Sequence, residues 1–203
     1  IPTDKSKGRA LSDGKWKLFD IPTPGAINPS VGYNGFLSPP IFSTKTGFFS
    51  EAQTITLSHS NPEAKIYFTL DGSEPSENSL VYTDPLTINF NTPMRARSFQ
   101  NEWMPSPIET NTYLFGTQPD IPVIALNIDP NDMFNRDIGI YASGPSASAD
   151  FPHFGANFWN DWERAAQFDI IDSNGQNFKA NAGIKIFGGW SRGFPQKSIS
   201  FFA

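Results

Sequence analysis

From residue 53 to residue 115, apolar and polar side chains alternate in short runs, and each run ends at proline, glycine, asparagine or aspartate. "QTITLS" sets Ile55 and Leu57 against Thr54, Thr56 and Ser58, while "KIYFTL" sets Ile66, Phe68 and Leu70 against Tyr67 and Thr69. A period of two puts every second side chain on one face, as in a half-buried strand and unlike the period of a helix. "LVYTDPLTINF", "PMRARSFQNEW" and "IETNTYLF" continue the rhythm. Strands this short cannot stand alone, so they must stack into layers that share one core.

Several short strands separated by turn formers predict an antiparallel sandwich of immunoglobulin-like or fibronectin type III-like form over residues 41–116. Composition agrees: 14% of the 203 residues are aromatic, only 17% are charged, and 18 are proline, which leaves little room for long amphipathic helices. The formal net charge of -5, with basic residues scattered from Lys5 to Lys197, repels phosphodiester backbones and argues against a nucleic-acid partner. With no cysteine, and with His59 and His153 far apart, disulfide frameworks and cysteine-ligated zinc are excluded. Apolar runs are too short for a transmembrane helix. The start at Ile1, without a leader, suggests a segment of a longer protein.

The flanks read differently. In residues 1–40, Pro22, Pro24 and Pro29 forbid a helix, and the segment is expected to form an edge strand and a linker. In residues 117–203, "PVIALNI" has the apolar density of a buried strand, and Asp129 followed by Pro130 is the pattern of a helix start. "IGIYA" is expected to be short and extended. Strands over 163–171 and 177–187 should flank a hairpin corner at Asn174 and Gly175. "SISFF" should be a strand with an open edge, a template for pairing. The prediction is therefore a mainly β chain: the sandwich, then a second β-rich and partly incomplete domain with short helices.

"IYFTLDGSEPS", "VYTDPLTI" and "RARSFQNEWMPSPIETNTYLF" resemble the small β-sandwich module at the carboxy-terminal end of chitobiases and hexosaminidases. Tyr67, Thr69, Asp71, Gly72, Pro75, Tyr82, Pro85 and Ser106 carry the resemblance, which implies an accessory domain rather than the glycosidase itself. "IPVIALNIDPNDMF", "WERAAQFDIID", "GIKIFGGWSR" and "FPQKSISF" resemble the beginning of the CotH family of secreted atypical kinases, related to spore-coat protein H. That resemblance implies ATP with Mg²⁺ or Mn²⁺ for a complete parent. It implies no cofactor for this segment, because the family's downstream acidic and amide residues have no counterpart here. "GRALSDGKWKLFDIPTPGAINPS" resembles the close of a bacterial lamin-tail domain. Together the three resemblances imply a multidomain extracellular or cell-surface protein, with a neighbouring domain, a polysaccharide or a protein acceptor as partner.

Candidate sites divide accordingly. Asp71 and Glu74, in the turn "DGSEPS", lack the repeated oxygen donors of a calcium loop and suit a sheet corner. Asn127, Asp129, Asn131 and Asp132 suggest either a metal or, more simply, a helix start. "FGGWSRGFPQKS" is not a Walker motif, since Phe194 and Pro195 stand where lysine and a hydroxyl are required. If the kinase resemblance holds, its Arg192 and Lys197 would face nucleotide phosphates; otherwise they are solvated cations beside a tight turn. Asp161 and Glu163 are expected to be exposed or ion-paired rather than a glycosidase pair. Trp103 and Trp190, with Trp159 and Trp162 behind them, are the candidates for stacking on sugars, against the alternative of core packing. No catalytic residue and no metal ligand is assigned. The reading is a spacer or adhesive sandwich beside a CotH-like domain, with a kinase nucleotide lobe or a polysaccharide-binding module as the rivals.

Overall fold

A computed structural model of the chain describes residues 4–173 and 177–202. The Asn174–Gly175 corner lies outside the described residues. Strands β1 (Ser6–Arg9) and β2 (Trp16–Phe19) form an antiparallel hairpin, where the sequence suggests only one edge strand. The reason is the "SDG" turn: Gly14 takes φ +68° and its N–H reaches Ala10 O at 2.9 Å, folding "KWKLF" back on "SKGR".

The sandwich follows. Its strands are β3 (Ile41–Phe42), β4 (Gly47–Phe49), β5 (Gln53–Ile55), β6 (Leu57–Ser58), β7 (Lys65–Thr69), β8 (Leu80–Val81), β9 (Leu86–Ile88), β10 (Thr92–Phe99) and β11 (Glu109–Phe115). One layer is the sheet β4-β11-β10-β7-β8, antiparallel except for β4 beside β11; the other is made of the pairs β3-β6 and β5-β9. Between them lie Phe42, Ile55, Leu57, Ile66, Phe68, Ile88, Met94, Ala96 and Tyr113. Full burial of a large apolar side chain contributes about 1.5–3 kcal/mol, so these residues hold the layers together. The Tyr113 hydroxyl escapes an unpaired burial by donating to Thr44 O at 2.9 Å. The alternation seen in the sequence is the burial pattern itself: in β10, Thr92, Met94, Ala96 and Ser98 are buried, while Pro93, Arg95, Arg97 and Phe99 look outward.

A second sheet runs β12 (Val123–Ile128), β13 (Arg164–Ile171), β14 (Asn177–Phe187), β15 (Ser198–Phe202), all antiparallel, with β15 at an edge. Between β12 and β13 stands α1 (Pro130–Phe134), capped as its sequence implies: Asp129 accepts from Asn131 N and Pro130 opens the first turn. "IGIYA" is not extended. Gly139 N, Ile140 N and Tyr141 N bond Asn135 O, Asp132 O and Met133 O, so the segment coils on as turns and delivers Ile140 to the interior. Among the described residues no helix is long and apolar enough to cross a membrane.

This second sheet has two unlike faces. Ala166, Ile184 and Ile186, joined by Leu126 and Ile128, bury against Met133, Ile140, Ala156 and Phe158 in a core of their own. The opposite face carries Asn127, Gln167 and Asp169, all buried, and it meets the sandwich through hydrogen bonds. Thr46 Oγ1 donates to Asp169 Oδ2 at 3.1 Å, and Asn127 Nδ2 donates to Thr112 Oγ1 at 3.0 Å. Lys179 Nζ reaches Glu109 Oε1 at 3.0 Å and also bonds Thr110 O. Two apolar cores are thus joined by a buried polar seam. Hydrogen bonds across such a seam are directional and depend on neighbours, so they fix the relative orientation of the two parts.

Candidate functional site

The outward face of the five-stranded sheet is only partly covered. At one margin lies the amino-terminal segment, tied down by Leu37 N to Met104 O at 3.0 Å and Met104 N to Gly35 O at 2.9 Å. At the other lies the second sheet. Three depressions run between these margins. The first, about 560 Å³, is lined by Trp103, Tyr67, Phe99 and Tyr33, with Lys65 and Gln100 among its polar groups. The second, about 520 Å³ and mostly apolar, shares Tyr33 and Pro105 with the first and adds Phe36, Leu37 and Met104. The third, about 680 Å³, shares Arg97 and Pro107 with the second and is walled by Arg95 and Thr110 on the sandwich and by Arg164, Gln167 and Asn181 on the second sheet. Their shared walls set the three side by side along this face.

Local sequence explains the furniture of this face. Register sets Arg97 beside Tyr67 and Phe99 beside Lys65 across β10 and β7, so the outward positions of "MRARSF" line up with those of "KIYFT". Tyr67 and Phe99 meet edge to face at 5.3 Å, and the Arg97 guanidinium lies 5.5 Å from the Phe99 ring centre. Trp103 rests against Gly35, where a Cβ would stand 2.5 Å from the indole; glycine is what lets the ring lie down there. Tyr33 and Phe99 carry no special mark in the sequence. The outward set of β10 becomes readable once its buried set is known, because the period is two.

The acidic turn sits at the junction of the two parts. Asp71 Oδ1 accepts from Ser73 N at 3.0 Å and from Ser73 Oγ at 2.6 Å; these bonds hold its carboxyl below the usual carboxylate range. Gly72 has φ +86°, and Pro75 is buried. Glu74 N donates to Asp129 Oδ2 at 3.0 Å, while Glu74 Oε1 accepts from Arg97 at 3.0 Å. One aspartate therefore caps α1 and clasps the turn of the sandwich. Burial works against the charge of Arg95 beside this turn, and the carboxylates of Glu74, Asp129 and Asp132 support it.

The residues singled out in the sequence are not gathered in one place. Asn127 turns to Thr112, Asp129 to the helix cap and Asp132 to Arg164 at 3.3 Å, so the acid-rich "NIDPND" is divided among three partners. Asp161 and Glu163 both pair with Lys185, at 3.1 and 3.8 Å. Arg192 Nε donates to Gly188 O at 2.7 Å, and Lys197 Nζ donates to Arg192 O and Phe194 O at 2.7 and 2.8 Å. Burial lowers the Lys197 ammonium's hold on its proton. Phosphate contact by either cation would require these carbonyls to be released. Trp190 is 64% exposed and touches Phe151 and Phe154 on the second part, well away from Trp103. Trp159 and Trp162 pack partly against the second core.

With that geometry established, comparison places the sandwich. Residues 44–110 match the chitobiase/beta-hexosaminidase C-terminal domain, a stretch running from just before β4 to the start of β11. The chain is also 32% identical over 77 residues to a protein from Clostridium saccharobutylicum named "Endoglucanase". That similarity covers 36% of this chain and 17% of the relative. No solved structure matches the chain. The central sandwich is thus similar to a module named for carbohydrate-active enzymes, and the chain spans about a sixth of the length of the relative it matches.

Proposed function

We propose that the chain is a non-catalytic accessory unit of an extracellular multidomain protein, and that it holds a polysaccharide along the depressions on the outward face of the sandwich. The observation that carries this reading is the first depression. Trp103, Phe99 and Tyr33 supply part-exposed aromatic surface over the buried Tyr67, and Lys65 and Gln100 supply hydrogen-bonding heads. Sugars present apolar C–H faces and hydroxyl edges together, so a site for them needs both kinds of surface within one cleft. Glu102 Oε2 accepts from Asn34 Nδ2 at 3.0 Å, and Glu63 and Glu77 add further polar edges to the same depression. The kinship of the sandwich with the chitobiase module, and the name of the relative, support the class of ligand.

Affinity electrophoresis in gels containing soluble neutral and acidic glycans tests the proposal. The chain should be retarded by at least one of them, and Trp103→Ala should remove most of the retardation while Trp190→Ala leaves it unchanged. Retardation lost with Trp190→Ala and kept with Trp103→Ala would move the site to the other surface. Mobility unaffected by every glycan would end the proposal.

A further inference from the structure

Strand β15 is a sheet edge without the devices that blunt edges. It pairs with β14 on one side only, from Gly183↔Phe202 to Phe187↔Ser198, and among the described residues Ser198–Phe202 make no backbone–backbone bond outside that ladder. Edges are kept from pairing by lysine, proline, a bulge or sheer brevity. β15 has five residues, none charged and none proline, whereas the edge strands of the sandwich, β4 and β8, have only three and two. At the other margin of the same sheet, β12 is engaged by the sandwich, where Asn127 Nδ2 donates to Thr112 Oγ1 at 3.0 Å. The apolar face of the sheet also runs on past its core towards β15. Phe168 meets Phe178 and Phe201 with ring centres 6.0 and 5.1 Å apart, yet Phe178 and Phe201 are 59% and 44% exposed. Charge does not guard the edge either: Lys185, the neighbour of Ser200 on β14, is neutralised by Asp161 at 3.1 Å and Glu163 at 3.8 Å.

We infer that two copies of this chain join edge to edge at β15, antiparallel about a two-fold axis at Ser200, so that the four-stranded sheet of one continues into that of the other. The strand is complementary to itself. In this register Ser198 faces Phe202 of the other copy, Ile199 faces Phe201, and Ser200 faces Ser200, so every residue of "SISFF" has a partner and no like charges meet. A slip of one residue would set the apolar face of one copy beside the polar face of the other. A slip of two would leave strand ends unpaired. The overall net charge of -5 does not prevent the contact, because beyond about 8 Å charges are screened at physiological salt and the uncharged strands are what meet. One short strand and the rim of an aromatic patch bury less than about 1,200 Å², the weak end of specific interfaces. The dimer is therefore transient and concentration-dependent.

Sedimentation velocity of the whole chain over a dilution series should show the mass moving from monomer towards dimer as concentration rises. Ser200→Lys sets two ammonium groups against each other at the axis and should hold the chain monomeric, while Ser200→Thr should leave the dimer in place. The chain has no cysteine, so Ser200→Cys tests the register directly. Opposed residues of an antiparallel pair have Cα atoms about 4.5–5.5 Å apart, within reach of a disulfide. Mild oxidation of Ser200→Cys should therefore give a covalent dimer on a non-reducing gel. Ser198→Cys should not, since the two copies of that position lie roughly 13 Å apart along the paired strands. If Ser200→Lys does not fold, the cross-linking still decides. A chain that is monomeric at every concentration overturns the inference. Equal cross-linking at both positions overturns the register, and a dimer that survives Ser200→Lys moves the contact to another surface.

Discussion

Asp169 offers the sharpest test of how the two parts are joined. It is 1% exposed, accepts from Thr46 Oγ1 at 3.1 Å, and keeps one buried oxygen without a hydrogen-bond partner. Burial pushes its carboxyl above the ordinary value of 3.8; the Lys179 ammonium and the Thr46 hydroxyl pull it only part of the way back. The raised value means that folding disfavours the charge. Below the ordinary value the side chain is protonated in both states and no penalty exists. As pH climbs from there through the raised folded value, the unfolded chain ionises first and stability declines. Asp169→Asn keeps the shape and the acceptor oxygen while removing the charge. It should therefore be at least as stable as the parent at neutral pH, with the difference shrinking in mild acid. Asp169→Ala removes the acceptor and opens a gap in the seam. Losing this buried hydrogen bond together with the packing around it costs about 1–3 kcal/mol, and at this chain length each kcal/mol lowers Tm by about 2–4 °C. Thermal unfolding followed by circular dichroism at neutral pH and in mild acid reads both effects. If Asp169→Asn proves as damaging as Asp169→Ala at neutral pH, the ionised carboxylate is holding the seam and the desolvation argument is wrong.

Two further changes probe the residues that carry the resemblance of the sandwich. Ser106 is fully buried, its Oγ accepting from Ser98 N at 2.9 Å and donating to Pro107 O at 2.7 Å; Ser106→Ala should cost about 1–3 kcal/mol in urea unfolding, and a loss confined to glycan binding would contradict its structural role. Gly72→Ala forces a side chain into positive φ, a strain of about 1–2 kcal/mol, and sets a Cβ 3.3 Å from Ile128 O. Gly14→Ala has the strain but open space, so its Tm should fall less; equal falls would show that the turn does not press on the second part.

The resemblance-bearing residues were legible because they act locally. Thr69 Oγ1 donates to Ser73 O at 2.7 Å, Asp71 caps its own turn, and Asp129 caps α1, all within a few residues of chain. The same is true of the sandwich, whose strands follow from a period of two. "IGIYA" misled because its apolar residues do not say that Asn135 and Asp132 will capture their N–H groups. The seam was invisible for a different reason. Gln167 and Asp169 alternate with Ala166 and Phe168 as polar residues on a solvated face would, and nothing nearby in the chain reveals that this face is buried against Thr46, Thr110 and Thr112.

What the sequence determined alone was therefore the strand rhythm, the turn chemistry, the helix cap and the kind of module at the centre, since each depends on neighbours along the chain. Tertiary structure decided the rest. Tyr33, Tyr67, Phe99 and Trp103 come together around one depression, and Arg95 and Arg97 come to face Arg164 and Gln167 across another, only when β10 lies against β7 and the second sheet docks beside them. These depressions are made of distances between residues far apart in the chain, and no local pattern encodes those distances.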